Sequence, residues 1–468
     1  MVGQACHGRP SGDGTPADWT APRAPGPVRA LVRLPGSKSM TNRALVLAAL
    51  SDRATLINGP LVARDTRLMA DALRALGCRI DESAQAWRVA PADPGSTRAA
   101  GGPPINIEVG NAGTVLRFVP PVAALADADV RFTGDPRISQ RPVGPLLAAL
   151  RALGATITEN GTGSVPFVVH GRGAVAGGSV TLDASTSSQL VSGLLLAAAR
   201  FDSGAEIMHR GPPVPSAPHI EMTIGMLRSA GVQVTANPAG AESPEAAPAD
   251  LAMTGAGRFV AHKWRVPPGT ISAERIDIEP DLSNAVPFLA AALATGGDVT
   301  VADWPADSLQ PAAAIIELLR SMGGDVRLTT DGLRVTGSGR ISGVGADLGE
   351  VGELTPVLTA LAAMASSPSE FTGIGHLRRH ESDRLAALAA EIGKLGGDVT
   401  ETDDGLRIRP APLRANSVSF DSHDDHRLVM AAAVLGLVTG GLRVHNAATV
   451  GKTFPDFAAV WTRTVAPA

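Results

Sequence analysis

The sequence has no tyrosine, and its aromatic residues make up only 3% of 468 residues. Its two cysteines, Cys6 and Cys78, cannot form a disulfide framework, which excludes the disulfide-stabilised secreted folds. No stretch approaches the roughly 18 consecutive apolar residues of a membrane span, and residues 1–27 lack the apolar centre of a signal peptide. We therefore expect a cytoplasmic protein with no membrane partner, in which residues 1–27, rich in Gly, Pro, Ala and Arg, are a disordered extension.

Lysine is also scarce, because the basic residues are almost all arginine. The net charge of −4 argues against nucleic acid as a partner. A chain that uses arginine nearly everywhere is expected to keep lysine where a compact, titratable ammonium group is needed. Two of its lysines, Lys38 and Lys452, lie in turn-like segments beside glycine and are the strongest candidates for such a role.

Helix-then-strand segments recur along the chain. In five of them an apolar helix ends on a glycine and runs into a short strand, and these glycines are roughly 75 to 90 residues apart: Gly77, Gly154, Gly231, Gly323 and Gly396. Six Ala/Leu-rich helices, each followed by a polar turn and a strand, interleave with them. The pattern predicts six tandem βαβαββ units, and three units per domain would give two domains.

The segment Leu34–Arg43 is the most informative connection. Pro35-Gly36 ends a strand, and Ser37, Ser39 or Thr41 can cap the apolar helix that follows. Lys38 and Arg43 then lie at a helix N-terminus, where free N–H groups and the helix dipole favour an anion. The segment lacks the glycine spacing of a Walker loop. An ordinary capped helix with two solvated charges explains the segment equally well when it is considered alone.

Other helix starts carry similar polar clusters, and each could again be simple capping. Cations occur at six such places, at Lys38, Arg43, Arg141, Arg384, Arg427 and Lys452. If these helices point their N-termini inward, the cations converge, and so many positive charges predict two polyanionic substrates held together. The pairs His376 with His380 and His423 with His426 could suggest a metal, but the first pair lies in an arginine-rich segment that repels a dication, so we predict no metal.

Taken together, seven motifs resemble the EPSP synthase family, the 3-phosphoshikimate 1-carboxyvinyltransferases. They run in family order between about Leu31 and Phe457 and are Pro35-Gly36-Ser37-Lys38-Ser39 with Asn42-Arg43, Gly110-Asn111-Ala112-Gly113-Thr114, Arg141-Pro142, Ser187-Ser188-Gln189, Glu381-Ser382-Asp383-Arg384, Asp425-His426-Arg427 and Lys452-Thr453-Phe454-Pro455-Asp456.

The resemblance implies an α/β fold of two inside-out domains, each of three βαβαββ units, joined by two crossovers near Leu34–Gly36 and Ile278–Asp281. The first domain would contain residues 28–35 and 279–465, the second would contain residues 36–278, and the active site would lie in the cleft between them. We expect a monomer that needs no cofactor.

The implied reaction transfers the enolpyruvyl group of phosphoenolpyruvate to the 5-hydroxyl of 3-phosphoshikimate and releases phosphate. By resemblance, the residues that bind 3-phosphoshikimate are Lys38, Ser39, Arg43, Ser187, Ser188, Gln189, Ser216, Glu353, His376 and His380. Those that bind phosphoenolpyruvate are Lys38, Asn111, Gly113, Arg141, Gln189, Arg384, Arg427 and Lys452.

The resemblance also implies catalytic roles. Glu353 is assigned as the base for the 5-hydroxyl, Glu381 with Lys38 as proton carriers at the methylene carbon, and Lys452 as a stabiliser of the departing phosphate. The sequence leaves open how the proton transfers are divided among Glu353, Glu381 and Lys38.

Four residues depart from the pattern common in the family. Glu353, His380, His376 and His219 stand where many relatives have Asp, Lys, Asn and Tyr. Gly113 without a methyl group is the form usually sensitive to glyphosate, which predicts that the protein is a target of this inhibitor.

Two rival functions fit the pattern less well. The related transferase that acts on UDP-N-acetylglucosamine typically uses a loop cysteine, and neither cysteine of this chain is placed for that role. A non-catalytic phosphoester-binding scaffold would not need the acids Glu353 and Glu381 together with both lysines.

Overall fold

The computed structural model describes residues 18–93, 102–237, 263–415 and 418–466. These residues form six β-sheets, of which five have four strands and one has three, together with twelve α-helices. Six sheets confirm the six repeated units predicted from the sequence. Within the described ranges, no helix combines the length and the apolar character that crossing a membrane requires.

The strands are β1 (Trp19–Ala21), β2 (Arg29–Val32), β3 (Thr55–Asn58), β4 (Arg79–Glu82), β5 (Ala86–Ala90), β6 (Ile105–Glu108), β7 (Asp129–Thr133), β8 (Thr156–Glu159), β9 (Phe167–His170), β10 (Gly178–Leu182), β11 (Ala205–His209), β12 (Thr235–Asn237), β13 (Lys263–Val266), β14 (Arg275–Asp277), β15 (Asp298–Ala302), β16 (Asp325–Thr329), β17 (Gly332–Thr336), β18 (Gly345–Asp347), β19 (Ser369–Thr372), β20 (Asp398–Glu401), β21 (Leu406–Arg409), β22 (Ser419–Asp421) and β23 (Leu442–His445).

The α-helices are α1 (Lys38–Ala49), α2 (Arg64–Ala75), α3 (Gly113–Ala124), α4 (Gly144–Ala152), α5 (Gln189–Ala198), α6 (Pro218–Ser229), α7 (Leu282–Thr295), α8 (Ala312–Ser321), α9 (Thr355–Ala363), α10 (Arg384–Lys394), α11 (His426–Thr439) and α12 (Phe457–Val465). Four short 3-10 helices accompany them, at Pro136–Gln140, Gly352–Leu354, Gly375–Arg379 and Ala447–Lys452.

Three sheets show the complete repeat, with strand orders β6-β7-β9-β8, β10-β11-β13-β12 and β18-β19-β21-β20. In each sheet the first two strands are parallel and the remaining pairs are antiparallel. A parallel pair needs a long crossover, which a helix supplies, whereas the last two strands can follow one another as an antiparallel pair. In each of these sheets, the helix before the last two strands in the sequence is followed by a glycine with positive φ, which is 103° at Gly154, 82° at Gly231 and 89° at Gly396.

Two of the other three sheets are completed by strands that cross between the two halves of the chain. β14 pairs in parallel with β3, and β2 pairs in parallel with β15. The two crossing segments also bond to each other, because the Ser37 amide donates to the Glu279 carbonyl at 2.8 Å and the Asp281 amide donates to the Pro35 carbonyl at 3.0 Å. The two predicted crossovers are therefore present and lie side by side.

The N-terminal segment corrects one prediction. Residues 1–27 are predicted to be disordered, but Trp19–Ala21 forms β1 and pairs antiparallel with β23, while residues 1–17 lie outside the described residues. The Trp19 ring also packs edge-on against Phe457, with 6.1 Å between ring centroids. Composition alone could not show this, because β1 is stabilised by pairing with β23, which lies more than 400 residues away in the sequence.

Fully buried helices form the inside of the fold, and the sheets lie outside them. All twelve residues of α3 and all nine of α9 are buried, whereas β4 and β16 keep most of their residues exposed. This arrangement confirms the predicted inside-out α/β fold. Apolar side chains form two separate buried clusters, one between Met40 and Ala273, the other from Ala21–Val32 and Leu282–Val465. The exact domain limits of 28–35 with 279–465 and of 36–278 stay a prediction.

The crossover at Gly36 has no space for a side chain. An added Cβ would overlap the Gly59 carbonyl and lie 3.1 Å from Ile278 Cγ2. We expect Gly36→Ala to reduce the free energy of unfolding by about 1 to 3 kcal/mol, because the Gly59 backbone and Ile278 must move away to accept the methyl group. Urea denaturation followed by circular dichroism would measure the loss. Gly26→Ala is the control, since nothing lies within 4 Å of its Cβ position; equal effects of the two substitutions would contradict the prediction.

Candidate active site

A cavity lies where the two halves of the chain meet, and most of the predicted site residues line it. Those that line it are Lys38, Ser39, Gly113, Arg141, Ser187, Ser188, Gln189, Ser216, Glu353, His376, His380, Glu381, Arg384 and Arg427. Asn111 and Lys452 line an adjoining cavity that shares Glu381. Sixteen of the seventeen predicted residues therefore line one cavity or the other, and Arg43 lines neither.

Helix N-termini from both halves surround the main cavity. Ser37 caps α1 and Asp281 caps α7, while Gly113 and Gln189 are the first residues of α3 and α5. Free backbone N–H groups and the positive ends of the helix dipoles therefore face the same space. Local sequence explains this placement, because each helix begins directly after a polar or glycine-containing turn. The arrangement favours a ligand with several negative charges.

The two candidate lysines approach each other from opposite halves. Lys452 Nζ donates to Glu381 Oε1 at 2.8 Å and to the Asn111 carbonyl at 3.3 Å. Asp65 Oδ2 lies 3.7 Å from Lys38 Nζ and 3.8 Å from Lys452 Nζ. Burial lowers the pKa of Lys38 below its ordinary value, and the charge of Asp65 only partly opposes this effect.

Arg384 connects two buried carboxylates. Its Nη2 donates to Glu381 Oε2 and its Nε donates to Asp425 Oδ2, each at 2.7 Å. Burial would raise the pKa of Glu381, but Lys452, Arg384 and Arg141 together hold it well below its ordinary value. The Glu381 carboxylate is therefore ionised, and a cation contacts each of its oxygens. Lys38, Asp65, Lys452, Glu381, Arg384 and Asp425 form one line of alternating charge, which we call the charge chain.

Glu353 reaches the cavity from the 3-10 helix before α9 and faces the other half of the chain. Its Oε1 lies 3.8 Å from His219 Nε2 in the first turn of α6. Close by, the Ser216 amide donates to the Gly349 carbonyl at 2.8 Å. Burial would raise the pKa of Glu353, but His219, the backbone and Arg427 lower it overall. Glu353 is therefore an ionised carboxylate that can accept a proton.

Arg141 lies over Gly113, where the chain has no side chain. Its Nη1 donates to the Asn111 carbonyl at 3.3 Å, and an added Cβ on Gly113 would be 2.5 Å from Arg141 Nη2. Arg117 is buried next to this pair and donates to the Gln189 carboxamide oxygen at 2.9 Å. Because a guanidinium group only donates, this bond assigns the oxygen of Gln189 to Arg117 and leaves the NH₂ group for other partners.

Arg43 lies behind the cavity wall and supports it. Its guanidinium group donates to Thr223 Oγ1 at 2.7 Å and to the carbonyls of Ser39 and His219, both at 2.9 Å. It is also 5.2 Å from the centre of the Phe118 ring. Arg43 therefore holds two residues of the lining in place, which the sequence motif could not distinguish from direct ligand contact.

Three histidines of the cavity are held in the neutral form. Burial is the largest cause that lowers the pKa of His376, and it lowers the pKa of His380 and His426 well below the ordinary value. Nearby guanidinium groups act in the same direction. The neutral rings can therefore accept as well as donate hydrogen bonds, and they add no positive charge to the cavity.

One cluster in the described part of the chain has metal-ligand types, with atoms of Glu381, Asp425 and His426 within 4.8 Å of one another. Arg384 already contacts both carboxylates, and Lys452 contacts Glu381. A dication would have to compete with these cations, so the residues do not fit a metal. His423, which the sequence grouped with His426, instead contacts Glu391 through Nε2 at 2.8 Å.

Sequence reasoning missed several residues of the cavity. Asp65 and Thr186 line it, and Arg117 supports Gln189 from behind. Asp65 did carry a signal, since it is an acid at the start of a helix, as Glu353 and Asp281 are. That signal is weak because acids are common at helix starts for reasons of capping alone.

Comparisons with known proteins agree along nearly the whole chain. The family model described as EPSP synthase (3-phosphoshikimate 1-carboxyvinyltransferase) matches residues 22–248 and 251–461. The chain is 46% identical over 453 residues to the 3-phosphoshikimate 1-carboxyvinyltransferase of Mycobacterium ulcerans (strain Agy99), covering 96% of this chain and 97% of that protein.

Two solved structures of EPSP synthase from Acinetobacter baumannii have the same fold. Both superpose with a TM-score of 0.74, at 24% and 23% sequence identity. The matches cover 95% and 96% of this chain, and 97% and 98% of the respective neighbours.

The charge chain should contribute to folding stability. Asp425 is fully buried and bonds to Arg384, so Asp425→Asn leaves a buried guanidinium group short of a counter-charge. We expect a loss of about 3 to 5 kcal/mol in the free energy of unfolding, measured by urea denaturation. The control is Asp383→Asn, which changes a half-exposed helix cap that asparagine can replace, at a cost within about 0.5 kcal/mol. Similar losses in both variants would contradict the prediction.

Proposed function

This chain belongs to the EPSP synthase family, and from that membership we propose how its cleft carries out the family's reaction. The protein transfers the enolpyruvyl group of phosphoenolpyruvate to the 5-hydroxyl of 3-phosphoshikimate, and it releases phosphate by addition and elimination. The observation that supports this most directly is the meeting of Lys38, Arg141 and Arg427 with the acids Glu353 and Glu381 in one cavity. The cations suit two anionic substrates, and the acids suit proton transfer.

The side of the cavity formed by α1, α5 and Glu353 is proposed to bind 3-phosphoshikimate. Hydroxyl groups, a carboxamide and neutral histidines there offer hydrogen bonds to a polyol phosphate, with these residues as its site: Lys38, Ser39, Ser187, Ser188, Gln189, Ser216, Glu353, His376 and His380. Arg43 acts on this substrate through Ser39 and His219, whose carbonyls it holds.

The adjoining part of the cavity, which shares Lys38 and Gln189, is proposed to bind phosphoenolpyruvate. Its residues are cations and an asparagine around Gly113, and we assign Lys38, Asn111, Gly113, Arg141, Gln189, Arg384, Arg427 and Lys452 to this site. The Gln189 amide NH₂, which Arg117 leaves free, can donate to an anionic oxygen of this substrate. The missing side chain at Gly113 leaves room for the Arg141 guanidinium group and for a small carboxylate.

In the addition step, the 5-hydroxyl oxygen bonds to the second carbon of phosphoenolpyruvate, and the methylene carbon gains a proton. Glu353 accepts the hydroxyl proton, since its lowered pKa keeps it ionised. Lys38 supplies the proton to the methylene carbon more readily than Glu381 does, because burial lowers the pKa of Lys38 while Glu381 is held as an anion. The Glu381 carboxylate stabilises positive charge that develops on the second carbon.

In the elimination step, the methyl carbon returns a proton and the carbon–oxygen bond to phosphate breaks. The ionised Glu381 is suited to accept this proton. Lys452, which contacts Glu381, and the neighbouring arginines stabilise the negative charge of the departing phosphate. A protonated Glu381 no longer pairs with the Lys452 ammonium group, which can then turn toward the departing phosphate.

We further propose that the protein acts as a cytoplasmic monomer. Residues of a single chain form the complete cavity, so no second copy is needed to assemble it. Size-exclusion chromatography with light scattering would test the oligomeric state.

Phosphate release tests the reaction. We expect the protein to release phosphate when both substrates are mixed with it and none with either substrate alone. Glu353→Gln should lower kcat about 10²- to 10⁴-fold with a smaller change in KM, because a general base is lost. Glu350→Gln, which removes a carboxylate three residues away that does not line the cavity, is the control. Release from a single substrate, or equal activity of both variants, would overturn the assignment.

Gly113 should control how tightly anions bind beside Arg141. The Cβ of Gly113→Ala would crowd Arg141 Nη2 and lie 2.9 Å from Arg117 Nη1. We expect the KM for phosphoenolpyruvate to rise about tenfold or more, and inhibition by glyphosate to need a higher concentration, because one charged contact weakens. Gly451→Ala, next to Lys452 but with nothing within 4 Å of its Cβ, should change neither value. Unchanged glyphosate inhibition in Gly113→Ala would contradict the prediction.

A further inference from the structure

Asp65 is a buried carboxylate in the cavity wall that the reaction steps above do not use. It lies in the first turn of α2, is 1% exposed and lines the main cavity. Its Oδ1 has no hydrogen-bond partner, and Arg64 Nε is 3.6 Å from it. A buried carboxylate without such partners is costly unless opposite charges lie close by.

The opposite charges closest to Asp65 Oδ2 are two lysines from different halves of the chain. Lys38 belongs to α1, in the same half as Asp65, whereas Lys452 belongs to the 3-10 helix Ala447–Lys452 in the other half. Their Nζ atoms lie 3.7 Å and 3.8 Å from the same oxygen. Two ammonium groups this close repel each other strongly in a water-poor cavity unless a negative charge lies between them.

Capping does not explain Asp65. The N-terminus of α2 is closed by Thr66, whose hydroxyl accepts a hydrogen bond from the Ala63 amide at 3.0 Å. Asp65 makes no side-chain cap bond to the helix. Its side chain instead faces Lys38 and Lys452. Asp65 therefore affects the cavity and not the end of the helix.

We propose that Asp65 is a positioning residue that holds Lys38 and Lys452 together across the cleft before the substrates bind. It touches no reacting atom, and it acts through the two lysines. The proposal rests on the proposed function, because it assigns a role to the lysines of that reaction. In the absence of substrate anions, Asp65 is the counter-charge that keeps Lys38 in its ammonium form.

Other charged groups around the lysines do not replace Asp65. Glu381 contacts Lys452 directly but is also committed to Arg384. Asp281 accepts a bond from the Lys38 backbone amide, at 3.3 Å, and not from its ammonium group. Arg427 and Lys452 both disfavour the charged form of Lys38, and Arg64 faces Asp65 from its own helix. Among the described residues, Asp65 is therefore the one carboxylate in ion-pair contact with Lys38.

The test is Asp65→Asn, which removes the charge and keeps the shape, compared with Asp71→Asn. Asp71 lies on the same helix with 68% of its side chain exposed, so its variant matches the change in net charge. Thermal unfolding would show that both variants fold, and Asp65→Ser is used if Asp65→Asn does not.

The first readout is the reaction of each lysine with acetic anhydride in the substrate-free protein, mapped by mass spectrometry. Only neutral amines react, and the chain has few lysines, so the partly exposed Lys394 is an internal reference. We expect Lys38 of Asp65→Asn to react about three- to tenfold faster relative to Lys394 at pH 9, because less of it is charged. Asp71→Asn should match the native protein.

The second readout is the pH profile of kcat/KM for phosphoenolpyruvate, which reports groups before this substrate binds. The pKa of Lys38 falls when Asp65 loses its charge, so activity should decline at lower pH than in the native protein. The ratio of native to variant kcat/KM should therefore rise about tenfold between pH 7 and pH 9. A constant ratio with unchanged Lys38 reactivity would overturn the role of Asp65. If the native protein itself released no phosphate from the two substrates, the proposed function would fail instead.

Discussion

Cations that remain charged inside a buried cleft need carboxylates within a few ångströms, and the charge chain meets this requirement. Asp65 lies between Lys38 and Lys452, and Glu381 lies between Lys452 and Arg384. Each acid therefore faces two cations, and the chain crosses from one half of the molecule to the other at Lys452. Without the acids, burial would favour neutral lysines, and a neutral lysine attracts no phosphate. The ability of the cleft to attract anions thus depends on carboxylates that bind no anion themselves.

The same arrangement explains how two substrates that repel each other can share one cavity. Arg141 and Arg427 are less fully paired than Arg384, because Arg141 is 3.9 Å from its carboxylate and Arg427 donates to the Ser283 hydroxyl. Three neutral histidines add hydrogen-bonding groups without adding charge. A cavity of this kind is close to electrically balanced when empty, and its incompletely paired cations are the ones available to a phosphate or a carboxylate. The negative groups of the substrates can then form ion pairs with these cations.

Much of the fold could be predicted because its signals are local. Helices that end on glycines and begin on polar turns recur at regular intervals, so the six units and the helix N-termini at the cavity follow from short-range rules. The pairing of Trp19–Ala21 with β23 is a long-range contact that no local sequence pattern indicates. Asp65 and Arg117 were missed for the same reason. An acid at a helix start and an arginine within an apolar helix acquire their roles only from Lys452 and Gln189, which lie far away in sequence.

One end of the charge chain, Lys38, lies next to the crossovers. Lys38 follows the crossing segment directly, and its amide donates to Asp281, which begins the helix after the other crossing segment. The two segments bond to each other through Ser37 and Asp281, so Lys38 lies at the covalent connection between the halves. Lys452 and Glu353 are far from that connection along the chain. Both belong to the half opposite Lys38, so a movement of the halves about the crossovers would change their distances from Lys38. In the proposed reaction, Lys38 belongs to both substrate sites, and such a movement would bring Lys452 and Glu353 to it.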